Sequence, residues 1–132
     1  MRGASALQEA LRDSPDAAIR VLVVWEPVIA TDLGPPPPWV LSEVRDVRAA
    51  QFWDRRRVLS DALSAGAKSD PSGPLSAASK EIGPVIWDYI AFFPPGVKWE
   101  TSAPSPTTWY FPVVHHMDEV RADLAAAGDG RR

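Results

Sequence analysis

The run at residues 19–25 constrains the fold of this chain more than any other feature. It reads Ile-Arg-Val-Leu-Val-Val-Trp, and most of its members are β-branched or aromatic. A dense apolar run of this length is typical of a strand buried on both faces inside a parallel sheet. A parallel neighbour is reached through a crossover connection, so we expect a βαβ unit. With 132 residues, the chain is long enough to build one α/β domain with its own core.

Apolar residues at helical spacing predict four helices. They span residues 4–13, 38–46, 54–66 and 118–128. Pro38 suits the first turn of a helix, where its missing N–H costs nothing, and Asp54 suits an N-cap. Gly66 and Gly128 are positioned as C-caps. Residues 67–80 are rich in Ser, Gly, Pro and Lys, and we expect a loop there.

Three further segments predict strands. Residues 47–53 are ambiguous, because Val47 also continues the helical spacing of the preceding segment. We favour a strand, because one helix over residues 38–65 would be unusually long and a βαβ unit needs a second strand. Residues 85–93 and 107–114 predict an antiparallel pair, whose second member contains a proline that favours a bulge or an edge position.

The composition excludes several classes of function. The chain contains no cysteine, which excludes disulfides, thiolate metal sites, cysteine nucleophiles and dithiol redox cycles. The formal net charge of −3 offers no electrostatic basis for binding nucleic acid or an anionic membrane. The basic run at residues 55–57 is interpreted as the solvated start of a helix. No signal peptide or membrane-spanning run is evident, so we expect a cytoplasmic location.

The order of the predicted elements over residues 19–128, βαβ followed by a helix and ββα, resembles the thioredoxin-like superfamily. Residues 23–26 (VVWE) are similar to the end of that family's first strand, just before its active-site loop. Residues 83–86 (GPVI) are similar to the segment in which the family keeps a cis-proline. Short segments also resemble a cysteine-free bacterial branch of the superfamily, namely residues 25–27, 51–54 and 87–89.

The resemblance implies a thioredoxin-like βαβ-ββα core with an extra N-terminal helix. The implied division is an N-terminal helix and lead-in over residues 1–18, a thioredoxin-like domain over 19–128 and a flexible tail over 129–132. The family's Cys-x-x-Cys motif is missing, because the corresponding region reads Thr-Asp-Leu-Gly-Pro-Pro from Thr31 to Pro36. Redox activity therefore cannot be transferred to this chain. A non-catalytic binding or structural module without a cofactor is what the resemblance implies.

Two carboxylates flank the segment that follows the first predicted strand. Glu26 comes directly after that strand, and Asp32 follows Thr31 in the next loop. In α/β sheets, ligands bind beyond the carboxyl ends of the strands, so these side chains are candidates for binding a ligand or for acid/base chemistry. The alternative for Asp32 is that it only stabilises a turn.

The aromatic and proline residues suggest where a partner would bind. Trp39 and Trp99 lie in or near proline-rich loops, and we expect Trp39 to be partly exposed beside Pro84. Aromatic side chains on a stiff, proline-containing rim are typical of peptide- or partner-binding surfaces. The alternative is that Trp39 fills the core under the loop. Three tryptophans in predicted strands are assigned to the core, namely Trp25, Trp53 and Trp87.

The adjacent residues His115 and His116 are the weak candidates for a metal site. Neighbouring residues on a strand point to opposite faces, so the pair is better interpreted as part of a strand-to-helix turn. Three hypotheses of function follow. The first is a module that binds a protein, a peptide or a small ligand. The second is a small enzyme or metal-binding protein that uses Asp32, Glu26 or the histidines. The third is a structural or oligomerisation subunit; the oligomeric state itself cannot be predicted from the sequence.

Overall fold

The computed structural model describes residues 2–73, 76–77, 80 and 85–129. That part of the chain mixes helices and strands, in agreement with an α/β class. The elements are α1 (Arg2–Asp13), β1 (Val21–Trp25), α2 (Pro38–Leu41), β2 (Ala49–Trp53), α3 (Val58–Ser69), β3 (Ile90–Phe92), β4 (Thr108–Tyr110), a 3-10 turn (Val113–His115) and α4 (Met117–Asp129).

Strands β1 and β2 pair in parallel, with Val21 opposite Ala49 and Trp25 opposite Trp53. This confirms a parallel βαβ unit and a strand within the predicted residues 47–53, although the strand begins only at Ala49. A single helix from Pro38 onward does not form. Helix α2 ends at Leu41, which is earlier than the end predicted near Asp46, and the chain then turns into β2.

Strands β3 and β4 form a second, antiparallel sheet, as predicted, but both are shorter than expected. The extended backbone before β3 is broken at Asp88, whose φ of 49° lies in the left-handed region. After β4, the cis bond between Phe111 and Pro112 is followed by the 3-10 turn. The predicted strand residues Val113 and Val114 therefore belong to a turn, because a proline cannot donate to a sheet.

The main core lies between helices α1 and α4. Its buried members are Ala10, Leu11, Val120 and Leu124. Side chains from β1, β3 and β4 pack against these four, including Val21, Ile90 and Tyr110. The N-terminal helix is therefore an integral part of the core, and it connects the two sheets through apolar contacts. A smaller cluster around Leu63 and Ala67 lies under α3.

Helix α3 begins and ends later than predicted. Asp54 is not the N-cap, which is Arg57 because the helix begins at Val58. The Asp54 Oδ2 nevertheless accepts a 2.8 Å hydrogen bond from the Leu59 amide in the first turn. Gly66 does not end the helix, which continues to Ser69. Gly128 likewise lies inside α4. The expected loop over residues 67–80 is helical at several positions, because alanine and lysine continue a helix as readily as they enter a loop.

The expectation that β1 is buried on both faces is wrong. Leu22 of β1 is 59% exposed and Phe52 of β2 is 50% exposed, and the parallel register places both on the same face. The opposite face, with Val21 and Trp25, turns toward α1 and the α2 segment. The run of apolar residues in β1 therefore does not reflect burial on both sides.

Candidate functional site

The loop between β1 and α2 is folded back on itself by Asp32. Its Oδ2 accepts hydrogen bonds from the backbone amides of Val28 at 2.8 Å and Ile29 at 3.0 Å. The Asp32 amide in turn donates to the Ile29 carbonyl at 3.0 Å. Asp32 therefore stabilises a turn within this loop.

The proline tract leads from this loop into α2. Pro37 has φ −67° and ψ 161°, which is polyproline II geometry, and its carbonyl accepts the Val40 amide at 2.9 Å. Val40 is buried and anchors the short helix. Trp39 is 60% exposed, as expected, which contradicts the alternative that it fills the core.

A cleft of about 440 Å³ opens between the loop and the strand ends. Its lining residues come from the end of β1, the loop with the proline tract, α2 and the end of β2. They are Trp25, Glu26, Thr31, Asp32, Leu33, Gly34, Pro35, Pro36, Pro37, Val40 and Trp53.

The two indoles of the cleft occupy equivalent ends of the parallel strands. Trp25 and Trp53 are register partners, so their side chains lie on one face of the sheet. The Trp25 Nε1 donates a 2.9 Å hydrogen bond to Gln51 Oε1, while Gln51 Nε2 donates to the carbonyls of Leu41 and Val44. Gln51 thus connects the indole of Trp25 to the α2 segment.

Glu26 is held by the first turn of α3. Its Oε1 accepts the Ser60 amide at 3.2 Å, and its Oε2 accepts the Ser60 hydroxyl. Burial raises the pKa of the Glu26 carboxyl; the two Ser60 hydrogen bonds oppose that shift, Asp54 reinforces it and Arg57 weakens it. The carboxylate therefore lies at the cleft in a partly desolvated position, with both oxygens oriented by one serine.

The hydroxyl of Ser60 is a structural link and not a nucleophile. Ser60 is 1% exposed, and its Oγ accepts the amide of Ile86 at 3.0 Å while it donates to Glu26. The segment that leads to β3 is thereby attached to the end of β1 through α3. Pro84 and the predicted cis bond before it lie outside the described residues.

The structure brings together three of the predicted site residues. Glu26, Thr31 and Asp32 line the cleft, whereas Trp39 and Trp99 are exposed outside its described lining. The assignment of Trp25 and Trp53 to the core is wrong, because both are only partly buried and line the cleft. Their equal distance from the starts of two parallel strands is the sequence signal that could have predicted this pairing.

Trp87, also predicted to be core, is 47% exposed and contacts Phe111 edge-on. It lies ahead of β3, in the segment where Asp88 leaves the extended conformation. The predicted strand would have buried the Trp87 side chain, whereas the turn leaves it exposed. The exposed Trp87 lies outside the described lining of the cleft.

The two histidines lie between β4 and α4. His115 ends the 3-10 turn, while His116 stacks on Tyr110 and is 3.4 Å from Glu119 Oε1. Within residues 2–73, 76–77, 80 and 85–129, no group of three or more His, Asp or Glu side chains is arranged to hold a metal ion. The strand-to-helix interpretation of these residues agrees with their placement in a turn.

A second cavity, of about 190 Å³, lies between the end of α3 and the loop before β4. Its described lining is almost entirely glycine, serine and Asp70, and it contains no aromatic side chain. Ligand sites are typically larger and lined mostly by apolar groups, so the cleft at the strand ends is the stronger candidate.

No protein-family model, curated protein or solved structure matches this chain. Over the described residues, none of the helices combines the length and apolar character needed to cross a bilayer. The cleft at the ends of β1 and β2 is therefore the basis on which a function is proposed.

Proposed function

We propose that this chain is a cysteine-free thioredoxin-like domain that acts as a binding module and uses the cleft at the ends of β1 and β2. The parallel β1–β2 unit, the antiparallel β3–β4 pair and the final helix α4 occur in the order typical of that superfamily. With no thiol in the chain, the domain works by binding a protein or peptide partner and not by dithiol exchange.

The observation that carries this proposal is the pairing of two indoles with a wall of prolines in one cleft. Its volume of about 440 Å³ lies within the usual range for ligand sites. Tryptophan side chains supply large apolar contact areas and are enriched among residues that dominate binding energy. Prolines keep the wall stiff in the free protein, so little conformational entropy is lost on binding.

Binding is favoured over catalysis by the way the polar groups of the site are used. Asp32 holds the loop amides, and Glu26 is held by a serine with almost no access to solvent. Neither arrangement presents an activated nucleophile with a neighbouring base. Both leave the cleft walls ordered, as a recognition surface requires.

Selection of peptides from a random library displayed on phage tests the proposal. Peptides that bind the wild-type chain should bind Trp53→Ala at least about tenfold more weakly, because truncating a central tryptophan typically costs more than ~1–2 kcal/mol. Trp99→Ala is the matched control, since Trp99 is 44% exposed and lies outside the described lining. Equal loss in both variants, or no loss in either, would place the binding surface elsewhere.

A further inference from the structure

We infer that the ligand presents a cationic group on an alkyl stem, an ammonium or a guanidinium, to the cleft that Trp25 and Trp53 help to line. This inference rests on the proposed binding function and specifies its ligand class. It is carried by the charge of the lining, by the open positions on its carboxylates and by the aromatic walls.

The charge of the cleft has one sign. Glu26 and Asp32 are its ionisable lining residues, and the described lining contains no lysine, arginine or histidine. Asp54 adds to the negative potential at Glu26, whereas the exposed Arg57 opposes it from the start of α3. An anionic ligand would face two carboxylates, whereas a cation would meet them as counter-charges.

The hydrogen bonds of the two carboxylates leave room for further donors. Both loop amides bind Asp32 Oδ2, and among the described residues no donor contacts Oδ1. Each oxygen of Glu26 accepts one bond from Ser60, although a carboxylate oxygen can accept two. An ammonium carries three donors and a guanidinium five, so either can use these positions.

The remaining walls suit the apolar part of such a ligand. Trp25 and Trp53 provide the ring type that attracts cations most strongly, with an attraction that grows as water is removed. The proline tract and Leu33 supply apolar surface for an alkyl stem. Lysine and arginine side chains combine both properties, because they lay their stems on apolar surfaces while the charged ends keep polar partners.

Nuclear magnetic resonance titration with four small probes tests the inference. Nα-acetyl-lysine N-methylamide and its arginine counterpart should shift the indole N–H resonances of Trp25 and Trp53. The neutral norleucine analogue, which keeps the alkyl stem, should bind with an affinity lower by about tenfold or more. Free pentylamine distinguishes a small amine ligand from a peptide side chain. An affinity equal to that of the lysine probe indicates a small amine, and a weaker affinity indicates a side chain within a peptide.

Glu26→Gln is the decisive variant, and Asp118→Asn is its matched control on the exposed start of α4. We expect Glu26→Gln to weaken the lysine probe about fivefold or more and to leave the norleucine probe unchanged, while the control changes neither. Unchanged amide resonances of Leu11 and Val120, which lie in the main core away from Glu26, establish that the variant keeps its fold. If the variant does not fold, the salt dependence of the wild-type affinity is measured instead, because salt screening must weaken the binding of a cationic probe.

The two proposals fail in different ways. Equal affinity for norleucine and lysine, an unchanged lysine affinity in a folded Glu26→Gln, or insensitivity to salt overturns the cationic ligand and leaves the binding function intact. If library-selected peptides and all small probes fail to perturb Trp25 and Trp53, the cleft is not a binding site and both proposals are overturned.

Discussion

Both ends of the β1–β2 unit carry charged side chains, but these side chains are hydrogen-bonded to different extents. At the end where the strands begin, the guanidinium of Arg48 donates to the carbonyls of Leu11, Ser14 and Ala17 and to both oxygens of Asp46. All of its donor nitrogens are used. At the end where the strands finish, the carboxylates of Glu26 and Asp32 keep open acceptor positions. A fully used polar group stabilises a fold, whereas a partly used one beside a cleft is available to a ligand.

Arg48 attaches helix α1 to the β1–β2 sheet at the end where the strands begin, which we call the Arg48 end. The last carbonyls of a helix have no partners within it, and Arg48 donates to the carbonyl of Leu11 in the last turn of α1 and to that of Ser14 just after it. Hydrogen bonding to Asp46 raises the pKa of the Arg48 guanidinium, and the same bond lowers the pKa of Asp46 to about 2. The pair is largely shielded from solvent, so its loss cannot be compensated easily by water.

Breaking the Arg48 end should have the largest effect on stability. We expect Arg48→Ala to lower the free energy of unfolding by about 3–5 kcal/mol, because it removes the guanidinium that neutralises Asp46 and that donates to three carbonyls. Arg48→Lys should recover only part of this, since an ammonium cannot reproduce the planar fork. Urea unfolding measures both. Arg20→Ala removes the same charge at an exposed position and should change little; a comparable loss there would contradict a special role for Arg48.

The two ends should also respond to pH with opposite signs. The folded pKa of Asp46 is about 2, below its ordinary value of 3.8, so its contribution is present above the ordinary value and is lost as pH falls toward 2. The folded pKa of Glu26 is raised above 4.5, so its contribution is present at low pH and is lost as pH rises through the folded value.

Urea unfolding between about pH 2 and pH 7 separates these contributions. Asp46→Asn should remove part of the loss of stability at acid pH. The wild type should lose stability as Glu26 ionises between acid and neutral pH, and Glu26→Gln should remove part of this loss. The free energy of unfolding of Glu26→Gln should therefore rise relative to that of the wild type as pH increases. Identical pH profiles for the wild type and both variants would show that neither carboxyl changes its pKa on folding.

The same contrast shows what could be predicted from the sequence. The parallel pair and its crossover followed from a β-branched run and from the need for a second strand, which are local and topological constraints. The cleft residues Glu26, Thr31 and Asp32 followed from their position after a strand. The roles of Arg48 and Gln51 could not be predicted, because their partners are backbone carbonyls of distant segments. Carbonyls carry no sequence signature.

The exposure of tryptophans was also beyond the sequence. Trp25, Trp53 and Trp87 were assigned to the core because they lie in apolar runs, yet such a run does not reveal whether a second layer covers it. Leu22 and Phe52 of the β1–β2 sheet are at least half exposed, and the segment before β3 turns at Asp88. Burial depends on the arrangement of whole layers, which a run of seven to nine residues does not encode.

The smallest effect is expected from Trp39, which lies next to the cleft but outside its described lining. Its side chain is 60% exposed, so Trp39→Ala should change the free energy of unfolding by less than about 1 kcal/mol. Leu11→Ala is the contrasting control, because a fully buried leucine typically costs about 2–5 kcal/mol. The two variants are compared by urea unfolding. The indole N–H resonances of Trp25 and Trp53 should remain in place in Trp39→Ala, since the Trp25 indole is hydrogen-bonded to Gln51 and not to Trp39. If both resonances move and the loss of stability approaches that of Leu11→Ala, Trp39 supports the wall of the cleft. Residues of α2 would then contribute to stability as well as to the binding end of the β1–β2 unit.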